Sequence, residues 1–465
     1  MSTCVEVGEG ENVPVRHLDP VSAFPLFVVT IGIVIGIIAL LRRSQQLGLV
    51  SAGLIMSYST NSSVDYLFHE TLGFGASWLL LAVLSLGMVL FFRVSLFRVM
   101  FIRNNYLEII LFCALLYLVI VSLVMSQTYV ALRKLSTYLL VLILGFKIYG
   151  YAFVNSHKPV ESLYYVIGIL SVVSISFLCI ALVTLVPQSI IDPTYINLII
   201  GNWRLTRLEG FGIAHPVGMS ISASLNTFVI MHWFVNSKRS GRKFLCVLLM
   251  VIMALVIILT GSRGAMIGLA STWLVIIWLQ SLSRKDMVLY AIVYLVVVAF
   301  AVSGFWGYVE TIFTRTSDKI SLTEVAYSSR YHQVYEIYDH VGLGGFIVGM
   351  GAGASEIMSI ELHQEFPLEP FWFRIILEWG MIGSFLYLIT LAVLMRSVIR
   401  METRLGQQGK KGIWILSSIY IFHFMTSPFY YGFSVFTGSL ILPISGGVLA
   451  MHWIARDRAK LVNHN

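Results

Sequence analysis

Arginines and one carboxylate stand out in a chain that otherwise carries little charge. Arg263 sits in Thr260-Gly261-Ser262-Arg263-Gly264-Ala265, a glycine-flanked break between two long apolar runs. Arg204 and Arg207 lie in a segment that passes through Gly210 and Gly212 to His215-Pro216, directly before another apolar run. Arg330 precedes a glycine-rich stretch, Gly349-Met350-Gly351-Ala352-Gly353. Glu369-Pro370 leads through Phe371, Trp372 and Phe373 to Arg374, with His363 shortly before it. Guanidinium groups bind phosphate oxygens by charge-assisted, commonly bidentate, hydrogen bonds, and three from separate segments suffice to hold a diphosphate. A carboxylate or imidazole beside them is the type of group that deprotonates an acceptor hydroxyl. The pattern points to transfer chemistry in which arginines stabilise the charge developing on a departing diphosphate.

Each residue also has an ordinary role open to it. Arg204 and Arg207 suit snorkelling anchors, Arg263 a cap on a helix turn, Arg330 a solvated loop charge, and Glu369 the first turn of a helix entered through Pro370. The run Gly349–Gly353 is a weak phosphate cradle, because it lacks the GxGxxG spacing, a preceding strand and a P-loop lysine. The histidines show no HExxH spacing, so no zinc site is expected. Asp65, Glu310, Asp318, Glu324, Glu336, Asp339 and Glu361 are too dispersed to suggest a divalent cation. No cofactor is implied. Cys4, Cys113, Cys179 and Cys246 form no short-spaced ligand pair, and three of them lie in apolar runs as small core residues.

The elements that must position these residues follow from composition. The 465 residues are 58% hydrophobic and 12% charged, too little charge to cover a soluble domain of this size. The expected fold is all-α: one integral membrane domain, 1–465, with about twelve to thirteen transmembrane helices of about 20 apolar residues each. The apolar runs lie near 21–41, 46–61, 74–92, 104–126, 136–155, 163–187, 211–235, 244–260, 264–281, 287–306, 371–395, 411–427 and 434–454. The acidic start has no basic n-region, so the first run is expected to act as its own insertion signal.

Charge sets the orientation. The larger share of the 31 Lys and Arg residues falls in one alternating set of connections, including Arg93, Lys238–Lys243, Arg284 and Arg396–Lys411. That set is expected in the cytoplasm. The net charge of +8 is then the mark of such loops, and nucleic acid is not an expected partner. Arg204, Arg207, Arg263, Arg330 and Arg374 fall on the opposite, outer side. So does the long hydrophilic connection 307–370, which is expected to fold over the outer face. Within it Tyr331, Val334, Tyr335 and Tyr338 recur at helical spacing, so Ser329–His340 is predicted as an amphipathic surface helix.

In order and spacing these motifs resemble the bacterial O-antigen polymerase and O-antigen ligase superfamily, membrane glycosyltransferases of surface-polysaccharide assembly. The resemblance rests on Thr260–Ala265, Arg207 through Pro216, Arg330 with Gly349, Gly351 and Gly353, and Leu377-Glu378-Trp379-Gly380-Met381-Ile382-Gly383. It covers about residues 200–390. It implies an inner-membrane enzyme whose active site faces the periplasm. Its implied partners are an undecaprenyl-diphosphate-linked oligosaccharide, membrane lipid and a chain-length regulator protein. Arg207, Arg263 and Arg330, with Arg204, would contact the diphosphate; His215, Gly349, Gly351 and Arg374 would support the site.

Ligases of the family carry a histidine about eleven positions before the glycine matching Gly380. Here Glu369 stands there, and the His363-Gln364 pair lies six residues earlier. Glu369 in that place accords with the polymerase branch, with His363 the other candidate base. Two alternatives stand beside the polymerase: a ligase that moves finished glycan onto lipid A–core, and a lipid-linked sugar flippase, which would show paired broken helices.

The orientation is directly measurable. Reporter fusions after Lys243 and within 307–370 are expected to report opposite sides of the membrane, the first cytoplasmic and the second periplasmic; the same side for both would overturn the assignment.

Overall fold

An apolar chain without water as hydrogen-bond partner must satisfy its backbone internally, and helices do so within one segment. The computed structural model describes residues 48, 106–125, 145–156, 158–191, 216–259, 263–279, 329–362, 371–407, 415–426, 444–451 and 453–454. Among them there are helices and short connections and no strand. The helices are α1 Tyr106–Met125, α2 Gly145–Val154, α3 Pro159–Ile191, α4 Pro216–Asn236, α5 Ser240–Leu259, α6 Arg263–Leu279, α7 Ser329–Val348, α8 Ala354–Glu361, α9 Phe371–Gln407 and α10 Ile415–Thr426. A final helix, α11, covers 444–451.

Three stretches are long and apolar enough to cross a membrane: Pro159–Ser176, Ser240–Ile258 and Trp372–Thr403. Phe112–Met125 and Ile415–Phe424 are shorter apolar helices. The expected runs at 21–41, 74–92 and 287–306, and all but residue 48 of 46–61, lie outside the described residues.

Local signals set the helix ends. Pro159 occupies the first turn of α3, where its missing N–H costs nothing, and Glu161 pairs with Lys158 there at 3.1 Å. Residues 237–239 reverse the chain between α4 and α5, and Lys238, Arg239, Arg242 and Lys243 stay exposed around that turn. Side-chain hydroxyls inside the helices turn back on their own backbone: Ser224 to the Ser220 carbonyl at 2.8 Å, Thr227 to Ala223 at 2.9 Å and Thr272 to Gly268 at 2.6 Å. Each hydroxyl is thereby satisfied without water.

The main core joins α2 to α6 with α9, α10 and α11. Phe228 of α4 links its neighbours, with ring centroids 5.8 Å from Trp273 of α6 and 6.0 Å from Phe422 of α10. Asn226 of α4 donates to Ser174 of α3 at 2.8 Å, a buried polar bond between helices. Between α2 and α11 the backbones nearly touch: a Cβ on Gly446 would lie 2.4 Å from Tyr149 Cβ and 2.8 Å from the Gly150 nitrogen.

One buried acid fastens the far end of α9. Glu402 is fully buried. Its carboxyl group accepts the Leu416 amide at 2.8 Å, the Ser417 amide at 2.9 Å, the Ser417 hydroxyl and the Tyr164 hydroxyl at 3.4 Å. The first amides of α10 have no partner within their own helix, so Glu402 caps α10 from another helix. Tyr164 in turn stacks on His232 at 5.7 Å. Replacing Glu402 with Ala would orphan two buried amides at about 1–3 kcal/mol each. Glu402→Ala is therefore expected to lower the thermal midpoint of the detergent-solubilised protein by several degrees, and Glu402→Gln, which keeps one acceptor oxygen, by less.

Candidate functional site

The connection 307–370 is described over 329–362. The helix predicted for Ser329–His340 is present but continues to Val348, with a break at Gly342, whose φ is 69°. The extension went unforeseen because Val341–Val348 is entirely apolar and glycine, and so carries no amphipathic period. After α7 the chain runs through Gly349, Gly351 and Gly353, all at positive φ, into α8.

This run docks on α9 where α9 is itself broken. Gly380 has φ 66° and ψ 179°, dividing α9 into a short first part and a long second part. The break removes acceptable partners from the carbonyls just before it. The loop supplies them: the Met350 amide donates to the Leu377 carbonyl at 2.7 Å and the Gly351 amide to the Glu378 carbonyl at 3.0 Å. The Gly349 amide bonds Gly345 at 2.7 Å, and the Ala352 amide bonds the Ser122 hydroxyl of α1 at 2.8 Å. Tyr117 of α1 donates to the Val348 carbonyl at 2.8 Å. These amides hold protein carbonyls and a hydroxyl, so Gly349 and Gly351 serve the site by seating the loop and not by cradling phosphate.

The approach admits no side chain. A Cβ on Gly349 would meet the Gly380 nitrogen at 2.5 Å, and one on Gly380 would meet the Val348 carbonyl group at 2.4 Å. Apolar contacts flank the junction. Ala352 packs with Ala114, Leu118, Ile375 and Trp379 on one side. Ile337, Ala354, Met358 and Leu377 pack together on the other.

An ion pair lies beneath it. Glu378 is 1% exposed. Its Oε1 accepts the Ser355 hydroxyl at 2.7 Å and lies 3.3 Å from Arg374 Nε. Arg374 and Glu378 are one helical turn apart, the spacing at which side chains meet. Burial removes water from both charges, which strengthens their attraction and makes loss of either partner costly. Glu378 thus holds the Arg374 guanidinium through Nε and ties α8 to α9 through Ser355.

The structure therefore brings Gly349, Gly351 and Arg374 into one junction with the Leu377–Gly383 segment. Arg263 opens α6 and Arg330 lies in the first turn of α7. Arg204, Arg207, His215, His363 and Glu369 lie outside the described residues, as do the side chains of Arg263 and Arg330. Sequence reasoning assigned no role to Glu378, Ser355, Ser122 or Tyr117. The Arg374–Glu378 spacing carried a signal for the first. Nothing local marks Ser122 and Tyr117, which meet the loop across more than 200 residues. No family model, curated protein or solved structure matches the chain.

Gly349→Ala and Gly380→Ala test the junction. Each combines a backbone clash with a left-handed φ, a strain of about 1–3 kcal/mol. Both are expected to raise the rate of protease cleavage within 307–370 by roughly 5- to 100-fold, following that strain. Gly344→Ala, whose Cβ would meet nothing within 4 Å, is expected to leave the rate unchanged.

Proposed function

We propose that the chain is a polytopic inner-membrane polysaccharide polymerase with about twelve to thirteen spans. Its substrates are two copies of an undecaprenyl-diphosphate-linked glycan at the periplasmic face. The hydroxyl of the acceptor repeat unit attacks the anomeric carbon of the donor glycan. The bond from that carbon to the diphosphate oxygen breaks, undecaprenyl diphosphate departs, and the hydroxyl proton passes to the Glu369 carboxylate. Arg207, Arg263 and Arg330, with Arg204, stabilise the negative charge on the leaving diphosphate. No metal enters the step.

The observation that supports this reading is the junction of 349–353 with 374–380. The two motifs stand far apart in sequence, yet they share backbone hydrogen bonds and a buried ion pair that holds Arg374. Glu369 lies only a few residues before Arg374, at the entrance to the helix that this junction makes rigid. A base and an electrostatic clamp need such a support, because misplacement by about 1 Å costs on the order of 100-fold in rate.

Glu369→Gln separates the base from the clamp. Removing a general base costs on the order of 100-fold or more, so the ladder of surface-glycan chain lengths on a gel should collapse to single repeat units. An intact ladder would show that Glu369 is not the base. Loss of all glycan-bearing lipopolysaccharide in His363→Ala, with lipid-linked polymer still accumulating, would instead select a ligase.

A further inference from the structure

The loop helix α7 changes character at its break. Its first part carries Arg330, His332, Glu336, Asp339 and His340, whereas Val341 through Ala354 carries no polar side chain at all. Beyond Gly353 the chain turns back along its own path. Ile337 and Met358 pack together in one cluster with Leu377, and His340 and Glu361, both about half exposed, face each other at 3.9 Å. Residues 337–361 thus form a hairpin, with the half-exposed His340 and Glu361 at its open end and Val348–Gly349 at its tip.

Two neighbouring helices give the depth of that tip. On α1 the Val348 carbonyl is held by Tyr117 and the Ala352 amide by Ser122. The apolar side chains Leu123, Val124 and Met125, 64%, 69% and 45% exposed, continue past both toward the end of α1. Tyr117 lies eight residues from Met125, about 12 Å along a helix. On α9 the tip packs against Gly380. The first charged residue after it is Arg396, about 24 Å away along the helix. That is short of the roughly 30 Å of a hydrocarbon core. On both helices the tip meets the apolar stretch away from its ends, and the distance from His340 to Val348, again eight residues, spans a similar length.

We infer that the hairpin 337–361 re-enters the membrane, with its tip at Val348 and its outer surface, formed by Leu343, Ile347 and Val348, in contact with lipid acyl chains. Leu343, Ile347 and Val348 are exposed, and so are Met381, Ile382 and Phe385 just beyond the Gly380 contact. α1, whose Ile120, Leu123 and Val124 are also exposed, packs against α9 at Tyr117 and Gly383. Non-helical backbone is tolerated at such depth only where protein satisfies its polar groups. The glycine turn meets that condition: the amides of Gly349, Met350, Gly351 and Ala352 all donate to protein acceptors. The inference requires a membrane but does not depend on the chemistry proposed above. It applies equally to a transferase or a transporter.

Spin-label accessibility in proteoliposomes of phosphatidylethanolamine and phosphatidylglycerol tests it. Nitroxides are placed at Asp339→Cys, Leu343→Cys, Ile347→Cys, Val348→Cys and, as a lipid-facing reference, Ile120→Cys, in a chain whose native cysteines are replaced. Labels at 343, 347 and 348 should favour oxygen over a water-soluble nickel chelate as strongly as the label at 120, and the label at 339 should favour the chelate. Chelate access at 347 and 348 equal to that at 339, or access to neither reagent, would overturn the re-entrant hairpin. If the cysteine-free chain does not fold, the same contrast is read by peptide mapping of a membrane-impermeant maleimide with the native cysteines kept. At least tenfold slower labelling at 348 than at 339 is then expected, and equal rates would overturn the inference.

Discussion

A broken helix whose freed carbonyls are taken up by another segment is the constraint on which the placement of residues 329–362 depends. At Gly380 the α9 backbone leaves the helical region. Without the loop, the Leu377 and Glu378 carbonyls would face an apolar surrounding unpaired, at a cost of roughly 1–3 kcal/mol each. The amides of Met350 and Gly351 remove that penalty, but only if both chains lack a Cβ at the contact. The glycines at 349 and 380 are there for that reason. The same contact gives the loop a fixed place, so that a segment which is hydrophilic at both ends does not drift over the protein surface.

Charge is used sparingly, and the two buried acids of α9 both accept hydrogen bonds. Glu378 meets Arg374 and Ser355; Glu402 meets the first amides of α10 and two hydroxyls. The two acids lie on the same long helix, one at each end of its apolar stretch. Each ties that helix to a different neighbour, α8 in the first case and α10 in the second. Neutral polar groups between them are satisfied locally, as when Ser384 donates to the Gly380 carbonyl at 2.6 Å and Thr390 to Leu386 at 2.9 Å. Both ends of the apolar stretch of α9 are thereby fixed to neighbouring helices.

The hydrophobic runs foretold the helices closely where both are described. The run at 211–235 became Pro216–Asn236, that at 244–260 became Ser240–Leu259, and that at 264–281 became Arg263–Leu279. The run at 371–395 became a longer helix, Phe371–Gln407, because its charged end keeps helical hydrogen bonds and Glu402 fastens it to α10. The break between the runs that became α5 and α6, at Thr260–Ala265, was also legible from its glycines. The role of the glycines in Gly349–Gly353 was not: as a pattern they make only a weak anion cradle, and their amide partners show that they hold the loop in place.

Sequence by itself determined what depends on neighbours a few residues apart. It set the helical class, the apolar stretches able to cross a membrane, the start of the loop helix at Ser329, and the one-turn spacing of Arg374 and Glu378. Tertiary structure decided which distant groups meet: Val348 with Tyr117, Ala352 with Ser122, Ser355 with Glu378, and Glu402 with the start of α10. The reason is physical. In an apolar surrounding each helix satisfies its own backbone, so its formation is local. The few polar groups left over must find partners across helices, and a linear pattern holds no record of which of those will lie within 3 Å.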